Sequence, residues 1–336
     1  MIRPTIYQYA AEQMKGLVDL LLDLSDKSGG FANPSESLLN DDLAATILFC
    51  GKGLHIDQLP INHERYNSWL SRSAIPFDIE RAATGLLYQR LKKFTDELIK
   101  DYYAQTGDFK IVSADWIHKN PQALSVIMHV MGTFSRQELN KLVGPVSDSG
   151  ISKPASQRVA ALLQKLAPSQ IPHPDQIRER IKATTEGIVR DLVGKLLLEE
   201  FVAHALRRAN VPFRRESEYP LLAGVVYDFR ADFVVPDEVA PKAFLEVRKS
   251  SSRHASLYAK DKMFSAINWK GKHQACLGIL VVDGPWTSSS LQTMARVFDY
   301  VVPIASVKEV ARKVRDYLDG DTKVLQWLIH FRVEKP

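Results

Sequence analysis

Two carboxylates stand inside runs that are otherwise apolar: Asp232 in Tyr227-Asp228-Phe229-Arg230-Ala231-Asp232-Phe233-Val234-Val235, and Glu246 in Ala243-Phe244-Leu245-Glu246-Val247-Arg248-Lys249. Both runs read as β-strands, and burying an unpaired carboxylate in such a strand is costly. Two acids converging from neighbouring strands can share a divalent cation through hard oxygen ligands, which removes that cost. A cationic side chain beside them could then orient a water or offset developing charge. Strand alternation puts Arg248 on the face of Glu246 and Lys249 on the other. Arginine stays protonated and can stabilise charge without acting as a base. The cation could be Arg248, a Lys249 turned inward by a bulge (the preferred choice, since Ser250-Ser251 end the strand), or Lys260 or Lys262 from the next helix. Asp228 is the rival of Asp232, four residues earlier on the same strand face.

The elements that must position these groups follow from periodicity. Strand-like runs cover Tyr227 to Val235, Ala243 to Lys249, Leu277 to Val282 and Tyr300 to Ile304, with helical stretches at about 254–269, 289–298 and 306–318 between and after them. Alternating strands and helices imply a mixed sheet covered on its faces. Leu277-Gly278-Ile279-Leu280-Val281-Val282 is continuous enough to be a central strand. Up to about residue 166, apolar residues recur at helical spacing: Met14, Leu17, Val18, Leu21 and Leu22; Leu43, Ile47 and Leu48; Leu86, Leu87, Leu91, Phe94, Leu98 and Ile99. Ser135 to Glu138 reads as a capping box. The prolines at 168, 172 and 174 suggest a linker. The expected organisation is α/β overall: a mostly helical N-terminal domain, 1–168, then an α/β domain, 175–336, opened by a long helix from about Asp175 to Ala209.

An acid on one strand followed by an acid and a base on the next resembles the PD-(D/E)xK nuclease superfamily, which includes most Type II restriction endonucleases. The resemblance covers residues 186 to 318 and departs at the lysine, since Arg248 holds the position two after Glu246. It implies a restriction-endonuclease-like mixed sheet, Mg²⁺ held by Asp232 and Glu246, and hydrolysis of double-stranded DNA. Family members often add an acid from the preceding helix. On a regular helical wheel Glu200 falls in the apolar sector with Val189, Val193, Leu196 and Leu197, so Glu200 is chosen over Glu199. Duplex cleavage needs two active sites, so a homodimer is implied. A repair nuclease of the same fold and a DNA-binding protein without cleavage are the rivals.

The chain has 336 residues, 45% hydrophobic and 25% charged, as a protein with a proper core requires. Its net charge of +5 is matched by one segment, Glu246 to Lys272, where seven Lys/Arg face two acids. That segment could contact phosphates. Nothing resembles a membrane span or a secretory signal. The two cysteines, Cys50 and Cys276, look like buried thiols, and the expected location is cytoplasmic. The sequence holds no phosphate-binding glycine loop, HExxH, Gly-x-Ser-x-Gly or paired CxxC.

Overall fold

The computed structural model describes residues 3–249, 255–284 and 286–329. The chain divides into two units, Met1–Val193 and Gly194–Pro336.

The first unit is helical. Its long helices are α1 (Ile6–Lys27), α2 (Asp42–Gly51), α3 (Ile79–Gln105) and α4 (Pro174–Leu192). Helices α1, α2 and α4 all pack on α3. The predicted stripes form the core: Met14, Leu17, Leu21, Ile47, Leu48, Leu87, Leu91 and Leu98 are buried, whereas Leu43 stays exposed. Ser135 caps its helix through the Glu138 N–H at 3.2 Å, while the Glu138 carboxylate reaches one residue further back, to the Phe134 N–H at 3.1 Å. The unit boundary differs from the proline-rich stretch. Pro174 is the first residue of α4, where a missing N–H costs nothing. Ile177, Ile181 and Val189 then bury α4 within the helical unit.

The second unit is a five-stranded mixed sheet with helices, in the order β1 (Arg214–Arg215), β2 (Phe233–Val235), β3 (Ala243–Lys249), β4 (Leu277–Asp283), β5 (Tyr300–Pro303). The first three strands pair antiparallel and the last three parallel. Its helices are α5 (Glu199–Arg208), α6 (Ala255–Lys272), α7 (Ser288–Met294) and α8 (Val307–Leu318). Strand β4 is buried from Leu277 to Val282, as its apolar run requires. On one face Val234, Phe244, Leu280 and Val282 pack with Ala259, Ala266 and Trp269 of α6.

Two elements depart from expectation. Strand β2 is only three residues long, because the segment before it folds back on itself. Leu222 and Phe229 bridge in isolation, and Asn268 of α6 holds the intervening turn: its Oδ1 accepts from Val226 N at 2.7 Å and its Nδ2 donates to Tyr227 O at 2.9 Å. Gly224 is required there, since a Cβ would fall 1.9 Å from Asn268 Nδ2. The long helix from Asp175 is also interrupted: residues Val193–Leu198 form a π-helical turn between α4 and α5.

Candidate active site

Glu246 occupies the middle of β3, fully buried between β2 and β4. Asp232 immediately precedes β2, and extending the Phe233–Leu245 register by one residue sets it opposite Glu246. Its position is built from two sides. The Tyr219 hydroxyl donates to Ala231 O at 2.7 Å and accepts from Ala231 N at 2.6 Å, while Glu216 N donates to Asp232 O at 3.0 Å. The carboxylate then accepts from Val247 N, through Oδ2, at 2.7 Å. Tyr219 is a positioning residue that no local pattern marks, because it acts on the chain twelve residues away.

Arg248 lies between the two acids, with Nη1 2.7 Å from Asp232 Oδ2 and Nη2 2.7 Å from Glu246 Oε2. Lys262 enters from α6 and brings Nζ to 3.1 Å from the same Glu246 oxygen. The Arg248–Asp232 contact is a hydrogen bond, whereas those with Glu246 are ion pairs. Both carboxylate oxygens of Glu246 lie buried without a hydrogen-bond partner. Burial, then the charge of Asp232, pushes the Glu246 carboxyl up to about 7 against the pull of Arg248 and Lys262.

The basic residues sort clearly. Strand β3 keeps its register with β4 through Lys249, paired with Asp283, so no bulge turns Lys249 inward on that side. Lys249 is half-buried, and the contacts with Glu246 come from Arg248 and Lys262. The preference for Lys249 at the acids is therefore replaced by the helix-borne alternative. Lys260 is exposed on α6, outside the cluster. Lys270, expected among phosphate contacts, is fully buried and paired with Asp299. Arg253 and the tract Ser250 to His254 lie outside the described residues. Of the seven-cation segment, Lys260 and Lys272 remain as exposed charges among the described residues.

The two helix acids meet different surroundings. Glu200 is tied to Arg207 at 2.8 Å and to Arg215; these bonds outweigh burial and hold its carboxyl below the usual range. Glu199 instead feels the site: burial, then the charge of Asp232, pushes it up to about 7 against Arg215 and Arg248. The cause is the π-turn. One turn of i→i+5 bonding takes up an extra residue, so every side chain after it is rotated from its place on a regular wheel. Asp228 sits in the Asn268-held turn, exposed, accepting from Gly224 N at 3.1 Å.

Among the described residues, no three His, Cys, Asp or Glu side chains are gathered closely enough to hold a metal by themselves. Mg²⁺ needs fewer, since it retains several waters and takes one or two carboxylates plus substrate phosphate oxygens. Asp232 and Glu246 could supply that donor set, and the buried Glu246 carboxylate has no hydrogen-bond partner. The residues fit the ion. A separate groove of about 930 Å³ in the helical unit, lined by Leu91, Thr95, Ile181 and Thr185, includes none of these groups. Both cysteines are free and buried, and no described helix is long and apolar enough to cross a membrane.

No family model matches the chain, and no curated protein or solved structure is similar to it. The site's chemistry therefore rests on its own geometry.

Proposed function

We propose that the unit Gly194–Pro336 is a Mg²⁺-dependent nuclease domain of the PD-(D/E)xK kind, acting on double-stranded DNA as a Type II restriction endonuclease. One observation carries this: a fully buried glutamate whose carboxylate has no hydrogen-bond partner faces an aspartate on the neighbouring strand, with a helix-borne lysine 3.1 Å away. The order of helix, antiparallel strands bearing the acids, helix and central parallel strand supports it. Asp232 and Glu246 would hold the metal. When bound, the metal polarises the scissile phosphate and lowers the pKa of the attacking water. Lys262 is fixed beside that position and offsets negative charge as it develops on phosphate oxygens. Glu199, close enough to feel Asp232, supplies the third acid in place of Glu200. Tyr219 orients Asp232 through its backbone.

Duplex cleavage by such a site calls for two copies, matching a palindromic sequence by symmetry. The purified protein incubated with plasmid and phage DNA in Mg²⁺ should yield discrete fragments. A smear independent of sequence would point to a repair nuclease instead. The Arg248 bridge favours a second reading, a DNA-binding protein that does not cleave, because a guanidinium already compensates both acids. Binding without cleavage at every Mg²⁺ concentration would decide for it.

A further inference from the structure

Glu246 and Asp232 are bridged by one cation already, and that cation is part of the chain. Arg248 uses one nitrogen for each acid, at 2.7 Å in both cases. Together with Lys262 it sets two cations against the two strand acids, with Glu199 the further acid that acts on it. A dication entering this pocket would stand beside both half-buried cations, which is costly. Moving one cation out relieves that cost. The side chains differ in how readily they could move: Glu246 is 0% exposed, Asp232 8%, Lys262 12% and Arg248 28%. Arg248 also stands next to the last residue of β3, where its long stem can turn outward without breaking the strand.

We infer that Arg248 is a displaceable latch: it holds the two acids together when no metal is bound and swings toward solvent as the metal takes its place. This rests on the metal-site reading above and adds to it a competition between an internal guanidinium and the ion. The latch keeps the acids converged and compensated during folding, at the expense of metal affinity. The vacated guanidinium emerges at the mouth of the site, where it can meet a phosphate of bound DNA.

The test is Mn²⁺ binding to the full chain, followed by the electron paramagnetic resonance signal of the free ion, without DNA. Replacing the latch, Arg248→Gln, should tighten Mn²⁺ binding by about tenfold or more, equivalent to about 1.4 kcal/mol. Arg248→Lys, whose single ammonium cannot span both acids, should tighten it by less. Thermal melting gives a second readout: Arg248→Gln should melt below wild type without metal and gain more from Mn²⁺ than wild type does. Asp232→Asn should abolish binding. Equal or weaker binding by Arg248→Gln, with Asp232→Asn still abolishing it, overturns the latch and leaves the metal site standing. If Arg248→Gln fails to fold, Arg248→Lys decides, and unchanged affinity there overturns the latch. No Mn²⁺ bound by any form, or binding indifferent to Asp232→Asn, overturns the metal site and the latch with it.

Discussion

Helix α6 carries two lysines into the interior of the same unit, and they meet different company. Lys270 is fully buried against Asp299, whose Oδ2 also accepts from Gly278 N at 2.7 Å, and whose Oδ1 accepts from Gln326 N at 2.8 Å and Trp327 N at 2.9 Å. Each oxygen of that carboxylate has two partners. Lys262 meets Glu246, which is just as buried, but neither Glu246 oxygen has a hydrogen-bond partner and its contacts are ion pairs. Charge compensation alone does not tell the two apart, because both acids have cations beside them. The number of satisfied oxygens does. A buried carboxylate with every lone pair engaged serves the architecture, whereas one left open keeps capacity for a ligand.

The comparison breaks most directly at the acids themselves. Asp232→Ala and Glu246→Ala should each lower Mg²⁺-dependent cleavage by about a thousandfold or more while DNA binding stays within about tenfold, since phosphate contacts are untouched. Cleavage near the wild-type rate by either variant would remove the site assignment. Asp299→Ala should do the opposite: it strands a buried lysine and should lower stability by about 3–5 kcal/mol in urea unfolding, with no response to Mn²⁺. A mild loss there would show that the two clusters are not different in kind.

Lys262→Ala should cost cleavage about a hundredfold, and Lys249→Ala less than about threefold, because strand neighbours point to opposite faces. Single-turnover rates of the two variants, reversed in order, would return the role to β3. A fourth difference lies in pH. Folded Glu246 titrates at about 7, against an ordinary value of 4.5, so between these values the folded chain keeps a proton that the unfolded chain has released. Its stabilising contribution is complete below about pH 4.5 and is lost as pH rises through 7. Wild-type stability should therefore fall relative to Glu246→Gln between pH 5 and 8, and parallel urea midpoints would contradict it. The smallest effect separates the helix acids. Glu199→Gln should weaken Mn²⁺ binding a few-fold, while Glu200→Gln, which loses its ion pairs with Arg207 and Arg215, should lower stability by about 1 kcal/mol and leave binding alone.

Much of this was legible before any coordinates. Strand β3 begins and ends where its residues suggest, and β4 extends one residue past its apolar run, because apolar character and strand period agree there. Asp232 and Glu246 stood out for the same reason, as charges in runs that reject charge. The lysine was only one of several candidates, since Lys262 is sixteen residues beyond Glu246 and meets it only once α6 packs back on the sheet. The surroundings of the helix acids were not legible, because a π-turn leaves no mark in composition, yet shifts every later position on the wheel. The unit boundary falls at that same turn and not at the prolines, one of which begins a helix. Tyr219 was invisible, because a tyrosine clamping a backbone looks like any other core aromatic.

Three consecutive residues of α6 are each fastened to something different: Asn268 to the turn before β2, Trp269 to Phe229 and Phe244 at ring separations of 4.2 and 4.9 Å, and Lys270 to Asp299. Lys262 lies about 12 Å from Lys270 along the axis, at roughly 1.5 Å per residue, and Ala259 beyond it is buried in the core, so the helix is held on both sides of the lysine. A tilt of about 5° about the Lys270 end would displace Lys262 by about 1 Å, a shift large enough to cost a reaction on the order of a hundredfold. Anchorage on both sides thus sets the tolerance with which the lysine is aimed.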